Sequence, residues 1–217
     1  MLDTIFCKQL IAHIIKHKKI LLNEKQKMLN GEIYNPSLDY TLFKERQHCK
    51  SLCHKFNQLS PENLKERHSL ISQIVRKTGS IFMVEQPFMC DYGYNITFGE
   101  NFASNHNLLI LDCAEVTFGK NVMVGPNCGF YTTMHPLKAK ERTQNLQFAK
   151  PIVVEDNVWF GANVTVLAGV TIGKNSVIGA GSVVRKSIPE NSLAVGNPCR
   201  VIKKIKNPAS WQGLRLF

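Results

Sequence analysis

The chain has 217 residues, 44% of them hydrophobic, and its 27 Lys and Arg against 16 Asp and Glu give a formal charge of +11. This length suits one large domain or a domain with an appendage, and the basic balance favours an anionic partner: nucleic acid, an anionic membrane or a phosphorylated small molecule. There is no run of about 18 apolar residues to span a membrane, and Met1-Leu2-Asp3 lacks the basic start of a signal peptide. The seven cysteines, odd in number and without a CxxC pair, read as reduced thiols of a cytoplasmic protein.

Residues 1–22 mix Ile5, Phe6, Leu10, Ile14, Ile15 and Leu21 with Lys8, Lys16, Lys18 and Lys19. They read as an N-terminal extension, a packing or frayed helix rather than a membrane contact. Residues 23–79 read as helices and turns. Glu24 to Leu29 is short and polar, and Asn30-Gly31 and Asn35-Pro36-Ser37 are breakers. Leu42, Arg46, Cys49, Leu52, Cys53 and Phe56 make a helical stripe over Thr41 to Phe56. Ser60-Pro61-Glu62-Asn63 has the make-up of a helix start; the helix it predicts runs to about Lys77 and stops at Gly79.

Residues 80–205 carry a different rhythm. Val154, Phe160, Val166, Ile172, Ile178 and Val184 recur every sixth residue. Ile152, Val158, Val164, Val170, Ser176 and Ser182 form a second series two places earlier. A period of six fits neither a lone strand nor an α-helix; it is the signature of a hexapeptide β-helix, whose short strands cover the walls of a prism. Phe98, Ser104, Ile110 and Phe118, Val124, Phe130 extend it upstream, with two residues bulging between Ile110 and Phe118. Glycine or asparagine recurs at offsets expected for corners, which demand backbone angles that Gly, and less readily Asn, tolerate. The rhythm fails at Tyr131 and resumes at Ile152. Long loops are unusual unless they act, and this one, residues 131–151, carries His135-Pro136.

Several motifs together resemble one family. They are Lys27 to Tyr34 (KMLNGEIY), Cys90 to Ile96 (CDYGYNI), Asn105, His135-Pro136, Asn157 to Gly161 (NVWFG), Pro189 and Gly196 to Ile202 (GNPCRVI). The chain is similar over about residues 24–205 to hexapeptide-repeat sugar O-acetyltransferases, the maltose and galactoside enzymes, with the maltose branch nearer. The resemblance implies a mainly β fold: a left-handed parallel β-helix with an N-terminal α-helical region. It also implies a homotrimer with active sites between subunits, and transfer of acetyl from acetyl-CoA to a sugar hydroxyl with no metal.

By the same resemblance His135 is the general base, taking the proton as the hydroxyl attacks the thioester in a ternary complex; imidazole suits this at neutral pH. The tetrahedral oxyanion calls for a donor such as a backbone N–H. Acceptor binding maps to Asp91, Asn105, Tyr34 and Asp39, whose carboxylates and amides suit sugar hydroxyls. Cys113 stands where the galactoside branch has an acid, with the adjacent Asp112 either a substitute or a plain corner residue, and His106, next to Asn105, either lines the same cleft or sits on the outer face of a coil. CoA binding maps to the backbone at Ala162 and Ala180 for the pantetheine arm. Arg185, Lys186, Arg200 and Lys203 supply cations for the phosphates. Trp159 reads as a packing residue at a subunit interface or beside CoA.

The alternatives are an acetyltransferase with a serine or antibiotic acceptor and a non-catalytic trimeric scaffold. A zinc enzyme of the γ-carbonic-anhydrase kind needs three converging histidines, and the repeat region has only His106 and His135. A nucleic-acid binder would interleave aromatics with its basic residues, which this chain does not. The tail from Asn207 to Phe217, with Trp211, Leu214, Leu216 and Phe217, is apolar enough to pack on a neighbour.

Overall fold

The computed structural model describes residues 22–206, so the readings of residues 1–21 and of the tail lie outside the described residues. No described helix is long and apolar enough to cross a membrane.

The repeat region winds as a parallel β-helix. The first coil is β1 (Phe82–Val84), β2 (Phe88–Cys90) and β3 (Ile96–Phe98), and the second is β4 (Phe102–Ser104), β5 (Leu108–Leu111) and β6 (Val116–Phe118). In the third coil β7 (Met123–Val124) and β8 (Gly129–Tyr131) are followed by a hairpin of β9 (Thr133–Met134) and β10 (Phe148–Ala149), then by β11 (Ile152–Val154). The fourth is β12 (Trp159–Phe160), β13 (Thr165–Leu167) and β14 (Thr171–Ile172), and the fifth has β15 (Val177–Ile178), β16 (Val183–Val184) and an Ile188 bridge to Ile172. β17 (Ser192–Val195) continues the stack, and β18 (Arg200–Lys204) closes it as an antiparallel partner. Stacking gives three walls: β1-β4-β7-β12-β15-β17-β18, then β2-β5-β8-β13-β16, then β3-β6-β11-β14.

Both six-residue series point inward. Every member of the first is at most 1% exposed and of the second at most 2%, or fully buried where the residue is serine. Ser176 and Ser182 are satisfied by backbone: Ser176 Oγ donates to Pro189 O at 3.0 Å, and Ser182 Oγ to Gly179 O at 2.5 Å. Phenylalanines fill the wider coils, Phe98 stacking on Phe102 at 4.1 Å and Phe118, Phe130 and Phe160 continuing the column edge-on. Such rings bury large apolar areas and prefer these offset or edge geometries.

The corners divide their work differently from the expectation. The left-handed angles fall largely to asparagine: Asn101, Asn121, Asn157, Asn175 and Asn191, on the edge between third and first walls, have φ of 55–60°. Each side-chain amide donates to the next along this edge, at 2.9–3.0 Å. The short polar side chain thus offsets its own backbone cost. Gly161 acts by absence of bulk instead; a Cβ there would lie 2.7 Å from Ala180 N in the next coil.

The N-terminal region has α1 (Glu24–Leu29), held by an Asn23–Gln26 capping box, α2 (Tyr40–Gln58), capped by Asp39, and α3 (Leu64–Ile74). The stripe on α2 is buried at Leu42, Cys49, Cys53 and Phe56. α3 begins later than its sequence suggests. Ser60 to Asn63 close a turn of their own, with Asn63 N–H donating to Ser60 O, and Asn63 is non-helical with no side-chain cap bond. It ends early because the solenoid takes its backbone: Arg76 N–H donates to Ile96 O, and Lys77 bridges Thr97.

Asn157→Ala should destabilise the fold by about 2–4 kcal/mol, from the left-handed angle and two ladder hydrogen bonds. Asn157→Gly should cost roughly 1–2 kcal/mol less, since glycine tolerates that angle. Urea midpoints of the two variants check this; equal losses would mean that the backbone angle is not what asparagine supplies.

Candidate active site

The segment from 131 to 151 is ordered as the β9–β10 hairpin with a one-turn helix, α4 (Ala139–Arg142), at its tip. Arg142 holds that tip by donating to the carbonyls of Pro136 and Leu137. The N-terminal region grips the hairpin from outside. Tyr34 and Gln147 exchange backbone hydrogen bonds at 2.9 and 3.0 Å, and Gln147 Nε2 donates to Tyr34 Oη at 2.5 Å. Asn35 Nδ2 donates to Gln144 O, and Asn145 Nδ2 to Ser37 Oγ.

Between hairpin, α2 and the β2–β3 corner lies a cleft of roughly 760 Å³. His135, Asp91, Asp39, Cys113, Arg46, Tyr92, Thr133, Asn145 and Gln147 are among its lining residues. His135 is exposed on the rim, its Nδ1 3.1 Å from Leu146 O. A carbonyl oxygen only accepts, so in the neutral ring Nδ1 carries the proton and Nε2 the lone pair. A second ring nitrogen fixed in this way is what a general base requires.

Asp91 is 6% exposed. Its Oδ1 accepts from Arg46 Nε at 2.7 Å, and the Cys113 thiol approaches Oδ2 at 3.9 Å. The backbone around it is fixed from below: Asp112 Oδ1 accepts from the N–H groups of Asp91 and Tyr92 at 3.0 and 2.9 Å. Gly93, at φ +77°, lets the chain turn directly over the Ile74 carbonyl, where a Cβ would collide. Asp39 reaches the cleft while its carboxylate accepts from Thr41, Leu42 and Lys25 N–H groups, which makes it also the cap of α2.

Three expected acceptor residues are elsewhere. Asp112 is fully buried and does not line the cleft, because the two-residue bulge turns its carboxylate inward under Asp91. Tyr34 is 1% exposed, packed with Met28, Leu42, Tyr92, Cys113 and Ala149, and burial raises its hydroxyl well above the ordinary value. Asn105 stands on the edge between first and second walls, where its Oδ1 accepts from His106 N–H, while His106 Nδ1 meets Gln86 O at 2.6 Å. Neither Asn105 nor His106 lines the cleft. Cys113 does, as a thiol that burial pushes up to about 11.

The residues assigned to CoA also divide. Ala162 and Ala180 occupy the same edge as Asn105 on successive coils, joined by Gly181 N–H donating to Ala162 O. Among the described residues neither alanine N–H donates a hydrogen bond. Arg200, exposed at the start of β18, pairs with Val195 beside that edge, and exposed Lys203 follows on the same strand. Arg185 and Lys186, both exposed, follow β16 on the edge that carries His135.

The hexapeptide series matches a family model described as bacterial transferase hexapeptide (six repeats) over residues 151–186. Residues 27–79 match the maltose acetyltransferase hexapeptide capping motif. A maltose O-acetyltransferase from Clostridium difficile 630 superposes with a TM-score of 0.84 at 46% identity, covering 85% of this chain and 98% of that one. The chain belongs to the hexapeptide-repeat acetyltransferases. A galactoside acetyltransferase in complex with coenzyme A has a TM-score of 0.83 at 39% identity, covering 86% of this chain and 92% of its own. A hexapeptide-repeat acetyltransferase of Vibrio cholerae O1 biovar eltor, complexed with acetyl coenzyme A, has 0.79 at 36%, covering 85% and 100%.

Within this acetyltransferase, Arg46, Tyr92, Asn145 and Gln147 are cleft residues that sequence reasoning did not single out. Arg46 was visible only as a polar break in an otherwise apolar stripe. Nothing in the spacing brings Asn145 or Gln147 to the cleft, because the hairpin fold does it.

Burial pushes the Asp112 carboxyl up to about 6, although the N–H groups of Tyr92 and Asp91 pull the other way. A carboxyl raised on folding holds its proton in the native state where the unfolded chain has released it. This contribution to stability is therefore present at about pH 4 and is lost as pH rises through about 6, by on the order of 3 kcal/mol. Asp112→Asn keeps the Oδ1 acceptor and removes the titration. The difference in urea midpoint between variant and wild type should widen in the variant's favour over that window, and a constant difference would clear Asp112 of the effect.

Proposed function

We propose that the protein transfers acetyl from acetyl-CoA to a hydroxyl of a sugar, with His135 as general base. The observation that carries this is the His135 ring, its Nδ1 proton committed to Leu146 O and its Nε2 open on the rim of a cleft lined by carboxylate, amide and guanidinium groups. Asp91, oriented by Arg46, offers a directional acceptor for a sugar hydroxyl, and Asn145 and Gln147 offer amides. Nε2 takes the hydroxyl proton as the oxygen attacks the thioester carbon. The carbon–sulfur bond then breaks, and the imidazolium returns the proton to the CoA thiolate. The CoA and acetyl-CoA complexes of the galactoside and Vibrio cholerae relatives support this donor.

The site is assembled from two edges of the prism. His135, Asp91, Arg185 and Lys186 stand on the edge between second and third walls; Asn105, Ala162 and Ala180 stand on the edge between first and second. A ring of three copies, each offering one edge to each neighbour, completes three sites by a head-to-tail contact that closes. The outer faces of the walls fit such a ring. The first wall presents Met83, Ala103, Met123, Trp159, Val177 and Leu193, and the second Met89, Leu109, Tyr131 and Leu167. The third presents Thr97, Thr117, Val153 and Thr171, as a solvated wall should. Free cysteines throughout the described residues suit a cytoplasmic location.

His135→Ala should lower kcat by about 10²–10⁴-fold with the oligomer unchanged, read by thiol release from acetyl-CoA against maltose, glucose and glucosamine-type acceptors. Near-normal turnover would sink the assignment. Turnover only with serine or chloramphenicol would move the acceptor to another class, and no CoA binding at all would defeat the reading. Sedimentation should give three times the 24.5 kDa chain mass.

A further inference from the structure

We propose that Cys49, Cys53 and Cys90 form a three-thiolate site for copper(I) behind the acceptor cleft. Cys49 and Cys53 are four residues apart on α2, the helical spacing that puts two ligands on one face, and Cys90 ends β2 opposite them. Cys90 Sγ lies 3.4 Å from Cys49 Sγ and 3.8 Å from Cys53 Sγ, and the three sulfurs lie within 4.8 Å of one another. With metal–sulfur bonds of about 2.3 Å, three sulfurs arranged trigonally around one ion stand about 4 Å apart. The chain already holds them near that triangle.

The donor set selects the ion. Thiolates favour soft metals such as copper(I) and zinc. Structural zinc takes four ligands, and among the described residues no fourth His, Cys, Asp or Glu donor joins this group. The surroundings are the apolar core, with Phe56, Phe88 and Ile110 in the same buried cluster, so water is a poor fourth ligand. Copper(I) is satisfied by three sulfurs. Each thiol that becomes a ligand loses its proton to solvent as the copper–sulfur bond forms, and no electron is transferred because the metal arrives as copper(I).

None of the three cysteines lines the cleft. The site is one step away from it all the same: Cys90 precedes Asp91, and Cys49 is three residues beyond Arg46 on α2. A bound ion ties α2 to β2 and thereby holds the Arg46–Asp91 pair that faces the acceptor. The inference does not depend on the acetyl-transfer reading, and its readouts are separate from turnover.

The test equilibrates the reduced full-length protein, under nitrogen, with copper(I) held by bicinchoninate. One copper per chain should leave the competitor, and X-ray absorption should show a first shell of three sulfurs. The apparent melting temperature should rise on loading. Cys49→Ser, Cys53→Ser and Cys90→Ser should each weaken copper retention by more than the roughly 10–100-fold that losing an outer-shell partner costs, while Cys128→Ser and Cys199→Ser retain it. If the cluster variants fail to fold, the sulfur count on the wild type decides, since no other described cysteines gather in threes. No transfer from the competitor, a shell containing nitrogen or oxygen, equal retention in a folded Cys90→Ser variant, or zinc displacing copper would each overturn the proposal.

Discussion

The stacking of coils constrains everything else. Inward positions call for apolar or internally satisfied side chains, because backbone hydrogen bonds run between coils and leave the interior to side chains alone; Ser104, buried with its Oγ unpartnered, departs from this. Ser176 and Ser182 meet the condition by bonding to carbonyls within the prism. The asparagine ladder meets it at an edge, where each amide satisfies the next and sets the angle that turns the chain. A solenoid of this kind tolerates added length only at its corners, so chemistry must enter there.

It does so at one corner in particular. The β9–β10 hairpin leaves the third coil and returns without disturbing its register, Val166 still pairing with Phe130 and Val154 with Phe118. An exposed hairpin of that length would not hold a histidine still by itself. The Tyr34–Gln147 bridge and the Asn35 and Asn145 hydrogen bonds tie it to the N-terminal region, and the Leu146 carbonyl then fixes the His135 ring. The helices pack against the first coil through the buried residues of β2, Cys90 meeting Cys49 and Cys53, and, through Arg46 and Asp91, finish the cleft that the hairpin begins. Tyr34, expected on the acceptor, serves this clamp from inside the core.

Legibility in the sequence followed the range of the interaction. The inward residues were readable because their period is local and strict, and the interruption that carries His135 because that period breaks there. α2 was readable from Leu42, Cys49, Cys53 and Phe56. The start of α3 was misplaced because Ser60-Pro61-Glu62 suits a turn as well as a helix cap, and its end because the solenoid's third wall captures Arg76 and Lys77. Asp112 and Cys113 are neighbours in sequence, yet a strand corner sends one under the cleft and the other onto it.

The sequence by itself determined the prism, its core and the place of its one long interruption, since these follow from a repeating pattern of burial. Tertiary structure alone decided which carboxylates face the cleft, that Arg46 orients Asp91, that Asn145 and Gln147 join His135, and that three cysteines from two distant segments meet. The contacts of Cys53 with Cys90, Arg46 with Asp91 and Tyr34 with Gln147 bridge separations of 37 residues or more, and the hairpin folds Asn145 and Gln147 back beside His135. No local period encodes them; they arise because helices and hairpin are packed against the same corner of a rigid solenoid.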